Sequence, residues 1–246
     1  IGNVIATDAE DDPLTYKVSG TELAISSTGV LTFVAAPDFE TKSTYTATIT
    51  VNDGANDTTQ AITISVTNVN DIAPVISSAA SFSAAENQTA IGSVVATDAE
   101  DDPLTYKVSG TELAISSTGV LTFVAAPDYE TKATYTATLT VNDGVNNTTQ
   151  AITVSVTNVN DIAPVISSAA TFSAAENQTA IGSVVATDAE DDPLTYAVSG
   201  AELAISSAGV LVFVVAPDYE TKATYTATLT VNDGVNNTTQ AITVSV

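Results

Sequence analysis

The groups in this chain that could do chemistry are carboxylates, and they recur in five short motifs at fixed spacing. Over residues 72–161 these are Glu86 in Ala-Ala-Glu-Asn, the run Asp98-Ala-Glu-Asp-Asp102, the triplet Asp128-Tyr-Glu130, Asp143 in Asn-Asp-Gly, and Asn158-Val-Asn-Asp161. The chain of 246 residues has 29 acidic residues, five lysines (Lys17, Lys42, Lys107, Lys132, Lys222), no arginine and a net charge of -24. It has no His and no Cys. Zinc sites built on imidazole or thiolate are therefore excluded, and so are Ser-His and Cys nucleophiles. What remains is hard-cation chemistry through oxygen. Ca²⁺ takes roughly six to eight oxygens from carboxylates, amide side chains and carbonyls, and Asp, Glu and Asn supply them here. Gathered carboxylates repel by about 1 kcal/mol per pair at 4 Å in water, and a cation removes that cost.

The same charge balance excludes partners. Binding to a nucleic-acid backbone needs Lys and Arg to displace counterions, and an anionic membrane surface would repel this chain. No run of 18 apolar residues offers a membrane-spanning helix. Hydrophobic residues make up 44%, enough for packed cores.

The motifs recur because the chain repeats itself every 90 residues. Ile91–Val156 differs from Ile1–Val66 at eight positions, and Ile181–Val246 differs from Ile91–Val156 at five. A period of this length is one small domain, longer than a solenoid unit. Three near-copies suit a structural or binding array better than an enzyme. The segments Thr67–Pro74 and Thr157–Pro164 read as polar connectors closed by Pro. The division predicted is 1–71, 72–161 and 162–246, with the first unit lacking its opening strand.

Within a copy the dominant period is two. Tyr135, Ala137, Leu139 and Val141 share one face of a strand whose other face is threonine, and Ile152, Val154 and Val156 repeat the pattern. Asn142-Asp-Gly144 marks the turn between these two strands. Further strands are expected over about 75–85, 90–97, 104–108, 112–116 and 119–125. Seven strands without a helix predict an all-β chain of tandem antiparallel Greek-key β-sandwiches, immunoglobulin-like in type. Nearly all the acidic motifs then fall at strand ends and turns.

Plainer readings compete. Asp98–Asp102 alone would serve as a solvated turn. It is not an EF-hand loop, because Pro103 stands where Gly is required and Ser109 where a bidentate Glu is required. Asp128 and Glu130 could pair for glycoside hydrolysis, but Trp is absent and Tyr is sparse. The threonine face is compatible with ice or carbohydrate binding, and equally with ordinary exposed strand. Asn56-Asp-Thr58, Asn87-Gln-Thr89 and Asn147-Thr-Thr149 match glycosylation sequons by composition alone.

Taken in order across the whole chain, Ala-Glu-Asn (85–87), Ala-Thr-Asp-Ala-Glu (96–100), Asp-Tyr-Glu (128–130), Val-Asn-Asp-Gly (141–144) and Asn-Val-Asn-Asp-Ile-Ala-Pro (158–164) resemble the motif set of cadherin repeats. The similarity is to cadherin-like arrays of large bacterial surface adhesins. It implies a pooled Ca²⁺ site at each junction. For the second junction the set is Glu86, Asp128, Glu130, Asn160, Asp161, Asp188, Glu190 and Asp233. For the first it is Asp38, Glu40, Asn70, Asp71, Asp98, Glu100 and Asp143. Half-sites at the two ends would hold Asp8, Glu10 and Asp53, and Glu176, Asp218 and Glu220. The chain departs from the family pattern at Asn68, Asn158, Ile72, Ile162, Glu100 and Glu190, and Asp102 and Asp192 are extra. Three ions per junction is the family norm; these departures bear on the third.

The function this implies is a calcium-stiffened extracellular spacer or stalk segment at a cell surface, in contact with neighbouring repeats of its own chain. A filament subunit joined to identical chains by strand donation or lateral contacts is one alternative. A direct cell- or glycan-adhesion module is the other.

Overall fold

The computed structural model describes residues 1–246 and is built of β-strands without a helix. Strands of the first copy are β1 (Gly2–Asn3), β2 (Thr15–Val18), β3 (Leu23–Ile25), β4 (Val30–Phe33), β5 (Thr44–Asn52) and β6 (Asp57–Ser65). The second copy holds β7 (Val75–Ile76), β8 (Ser81–Ala85), β9 (Ala90–Ser93), β10 (Ala96–Thr97), β11 (Thr105–Val108), β12 (Leu113–Ile115), β13 (Val120–Phe123), β14 (Thr134–Asn142) and β15 (Asn147–Thr157). The third copy follows the same order, from Val165–Ile166 to Asn237–Ser245.

In the second copy one sheet runs β11-β14-β15-β8 and the facing sheet β12-β13-β9, with β7 paired to β10. The seven expected strands are present, but the first is broken into β7 and β8 and the second into β9 and β10. The break lets one segment pair twice: β7 pairs antiparallel with β10 in a two-stranded sheet of their own, and β8 pairs parallel with β15, Phe82 against Val154. The sandwich is thus antiparallel apart from this pair. Period-two patterning could not show it, because alternation is the same whichever way a neighbour runs.

The core follows the alternation. β14 and β15 pair with Leu139 opposite Gln150 and Tyr135 opposite Val154. Leu139, Val141, Ile152 and Val154 are at most 1% exposed, while Thr134, Thr136 and Thr138 face solvent. Each such buried side chain contributes about 1.5–3 kcal/mol. Phe123 meets Tyr135 edge-on at 5.0 Å, and Lys132, paired with Glu112, lies 4.4 Å over the Tyr135 ring. Gly119 holds φ +82, and a Cβ there would stand 2.5 Å from the Val94 carbonyl oxygen, so this tight turn before β13 requires glycine.

The strands leave the acidic motifs at opposite ends. Asp98–Asp102, between β10 and β11, and Asp143–Asn146, between β14 and β15, lie at the end that receives the connector from the preceding copy. Glu86, just after β8, and Asp128–Glu130, between β13 and β14, lie at the end from which β15 runs into the next connector.

Candidate metal centre

The junction between the second and third copies is assembled from three sources. The second copy contributes Glu86, which is only 3% exposed. Its Oε2 accepts the Tyr129 N–H at 2.8 Å and its Oε1 accepts the Val159 N–H of the connector at 2.7 Å. Backbone donors make burial of this carboxylate tolerable. Asp128 turns back on its own loop and accepts both the N–H and the hydroxyl of Thr131; the backbone bond, then the hydroxyl, hold it below the usual range. Glu130 is pushed the other way, first by desolvation and then by the charges of Glu86, Glu190 and Asp128.

The connector and the third copy complete the site. Glu190 accepts the N–H groups of Asp161 and Ile162 at 3.1 Å. Asp188 uses Oδ1 to accept the N–H groups of Glu190 and Asp192, at 2.9 and 3.2 Å. Its other oxygen, Oδ2, is fully covered and has no partner. Asp233, 4% exposed, has Oδ1 filled by the N–H groups of Val235 and Asn236. Desolvation acts to raise its pKa, but the hydrogen bonds from Asn236, Val235 and Asn160 together outweigh it and the net direction is down.

The outcome is one oxygen each from Glu86, Glu130, Asp161 and Glu190, all within 4.8 Å of one another. Asp188, Glu190 and Asp192 form a second such group, so Glu190 belongs to both. At the first junction Glu40, Asp71 and Glu100 converge in the same way, next to Asp98, Glu100 and Asp102. Glu40 is raised by desolvation first and then by Glu100, Asp71 and Asp38. No lysine neutralises these groups: the three ion pairs of the molecule join Lys42, Lys132 and Lys222 to Glu22, Glu112 and Glu202.

Other residues of the expected sets lie beside these groups. Asp38, like Asp128, is engaged by its own turn, through Thr41. Asn70 and Asn160 are hydrogen-bonded to the downstream turns that carry Asp143 and Asp233. Glu176, Asp218 and Glu220 converge within 4.8 Å, all exposed. Asp8 accepts from the Glu10 backbone at 2.8 Å, with Asp53 half-buried and Glu10 exposed. Two features escaped the sequence reading. Asp102 and Asp192 count among the clustered carboxylates rather than as bystanders. Asn146 and Asn236 bond the connector; their only trace in the sequence is an Asn three places after each turn Asp, also present as Asn56.

The donor set is oxygen throughout. The paired junction groups carry uncompensated charge, and the orphaned Oδ2 atoms of Asp98 and Asp188 want a positive partner. These residues fit a hard divalent cation.

The bacterial Ig domain family model matches residues 70–157 and 160–246. Chitinase A of Pseudoalteromonas piscicida is 34% identical over 144 residues, covering 57% of this chain and 18% of that protein. Human cadherin-23 is 27% identical over 184 residues, covering 67% of this chain and 6% of that protein. The chain thus spans less than a fifth of the length of these curated relatives. Among solved structures, the mouse cadherin-23 EC22-24 fragment superposes with a TM-score of 0.78 at 20% identity, covering 100% of this chain and 90% of that one. The mouse protocadherin-24 EC1-3 fragment gives 0.76 at 21% identity, covering 100% and 92%. Modules of this kind are structural rather than catalytic. The chain belongs to the bacterial Ig domain family, and its tandem sandwiches are of the cadherin-like type.

Proposed function

We propose that this chain is a segment of an extracellular stalk whose units, residues 1–71, 72–161 and 162–246, are stiffened by Ca²⁺ at each junction. One observation carries the reading: Glu86 and Glu130 from one copy, Asp161 from the connector and Glu190 from the next copy meet within 4.8 Å without a lysine partner. Such an arrangement is repulsive unless a cation is present. When bound, Ca²⁺ supplies the positive charge that lets the carboxylates stay together. Glu86 holds the connector backbone at Val159, and Glu190 holds it at Asp161 and Ile162. The wider set, Asp128, Asn160, Asp188 and Asp233 here and its counterpart at the first junction, supplies further oxygens around each core. The oxygen-only donors suit the weak sites of extracellular modules, with Kd of about 10⁻⁴–10⁻³ M.

Small-angle scattering of this chain with chelator and with millimolar Ca²⁺ tests the reading. Strands of about 33 Å plus connectors give a stiff rod of roughly 110–130 Å when calcium is present. A profile that calcium leaves unchanged would sink it. Asp161→Ala should loosen the second junction and leave the melting of both flanking sandwiches in place. Loss of those transitions would mean that the cations serve domain folding instead.

A further inference from the structure

Each connector is tied to the copy that follows it by side-chain amides as well as by carboxylates. At the second junction, Asn160 Nδ2 donates to the Asp233 carbonyl at 3.3 Å. Asn236 Nδ2 donates to Asn160 Oδ1 at 2.7 Å and to Asp233 Oδ2 at 3.3 Å. Asp161 and Ile162 donate their N–H groups to Glu190. The first junction reproduces the arrangement: Asn146 Nδ2 reaches Asn70 Oδ1 at 2.9 Å, Asn70 Nδ2 reaches the Asp143 carbonyl at 3.1 Å, and Asp71 and Ile72 donate to Glu100. Thr148 closes that connector by donating to the Pro74 carbonyl. All of these partners belong to the copy that follows. Toward the copy before, Thr157 is the last residue of β15, with its carbonyl accepting the Glu86 N–H and its hydroxyl donating to the Ala84 carbonyl; beyond it the second connector has Val159 N–H on Glu86 and a side-chain contact between Asn87 and Asp161. The remaining approach on that side is Glu130 toward Asp161 and Glu190, carboxylate against carboxylate.

We infer that Asn146 and Asn236 are positioning residues which latch each connector to the copy that follows it without any cation, so that the hinge freed by cation loss lies between the end of β15 and the latch, over Asn158–Val159 at the second junction. The latch proper, Asn236 on Asn160 and Asn160 on the Asp233 carbonyl, consists of neutral amide hydrogen bonds, which neither chelator nor carboxylate repulsion removes. The upstream seam brings Glu130 within 4.8 Å of Asp161 and Glu190, and is the part that calcium would close. The location of the hinge, though not the latch itself, rests on the junction reading proposed above. The Asn side chain is needed for the latch but not for the turn that carries it. The turn uses the Asn236 backbone, whose N–H goes to Asp233 Oδ1 and whose C=O accepts from Asn232.

Residue-resolved amide exchange on the 246-residue chain in chelator tests this. The expected result is that the amides of Asp161 and Ile162 stay protected while Val159 exchanges rapidly. Asn236→Ala should speed exchange at 161 and 162 by about tenfold or more while leaving 71 and 72 unchanged as an internal control. Asn236→Asp keeps the side-chain size and the turn but loses the Nδ2 donor, and should behave like Asn236→Ala. The third copy's melting transition should remain in both variants. Equal, rapid exchange at Val159, Asp161 and Ile162 in the unaltered chain would overturn the latch, as would protection that neither variant lowers. Scattering with and without Ca²⁺ reads stiffening separately. A chain that calcium does not stiffen but whose 161 and 162 amides remain protected would refute the stalk mechanism and keep the latch.

Discussion

The first and second copies differ at eight of 66 aligned positions, yet their interiors are packed very differently. The second buries a cluster of ten hydrophobic residues; the first buries three, Leu23, Leu31 and Ile49. Ile152 and Val154 are sealed, while their counterparts Ile62 and Ile64 are half-exposed. The substitutions do not cause this, since the two that fall in the core, Ile49 for Leu139 and Ile64 for Val154, exchange one apolar side chain for another. The cause is the segment that precedes the repeat. In the second copy β8 lies along β15 and packs Phe82 and Ala84 on the core, whereas β6 has no strand in that place. The connector makes the same point at the top of the sandwich, where Asp143 is buried and Asp53 is half-exposed. Sealing one copy thus depends on residues written before its first strong motif.

Core truncation is the strongest way to break this comparison. Leu139→Ala empties a fully enclosed site and should cost the second copy about 3 kcal/mol, whereas Ile49→Ala opens a site with a half-exposed wall and should cost the first copy about 2 kcal/mol. Denaturant melts followed copy by copy would read both, with the first copy unfolding earliest in the unaltered chain. Equal losses from equal starting stabilities would remove the role given to β8. A smaller effect comes from pH at the junction. Glu130 is raised from its ordinary 4.5, so the assembled junction holds this proton more tightly than the splayed one. Its contribution therefore falls as pH rises through and above 4.5. In chelator, acidifying from pH 7 toward that range should narrow the spread of inter-domain distances measured by fluorescence transfer across residues 72–246. Further acidification reverses the sign at Asp143 and Asp233, whose pKa values are lowered and whose turn bonds fade as they protonate. A spread that is flat or widens on first acidification would contradict the repulsive seam. The smallest change is at Lys132 and its counterpart Lys42. Each is paired with a glutamate at the surface, so Lys→Ala should cost about 0.2–1 kcal/mol, alike in the two copies, because neither site touches the strand that distinguishes them. A clear inequality would show that the copies differ beyond the pairing of β8 with β15.

Much of this was legible in the residues. Alternation located β14 and most of β15, and the Asn-Asp-Gly turn between them. The order of the five acidic motifs pointed to the cadherin-like sandwich that the structural likeness bears out. The breaks between β7 and β8 and between β9 and β10 were not legible. A strand that changes pairing partner along its length keeps the same alternation, and its hydrogen-bond partners are set at a distance. The start of β15 was also missed, since Asn147–Gln150 carries no strong apolar signal and is strand only because it pairs with Leu139–Asn142. In the metal centre, the acidic types were plain. Asn236 was not, because a lone amide after a turn looks like any other turn residue until Asn160 is brought against it.

By itself the sequence determined the repeat, the all-β class, the oxygen-only donor set and the strong net negative charge, since these depend on residue type and spacing along one chain. Only the tertiary structure decided which carboxylates meet, which lie buried, and which copy holds each connector. Glu86 and Glu176 share one motif, yet the first is buried and accepts the Val159 N–H while the second is exposed. Burial and hydrogen bonding depend on what arrives from far along the chain, and a local motif carries no record of that.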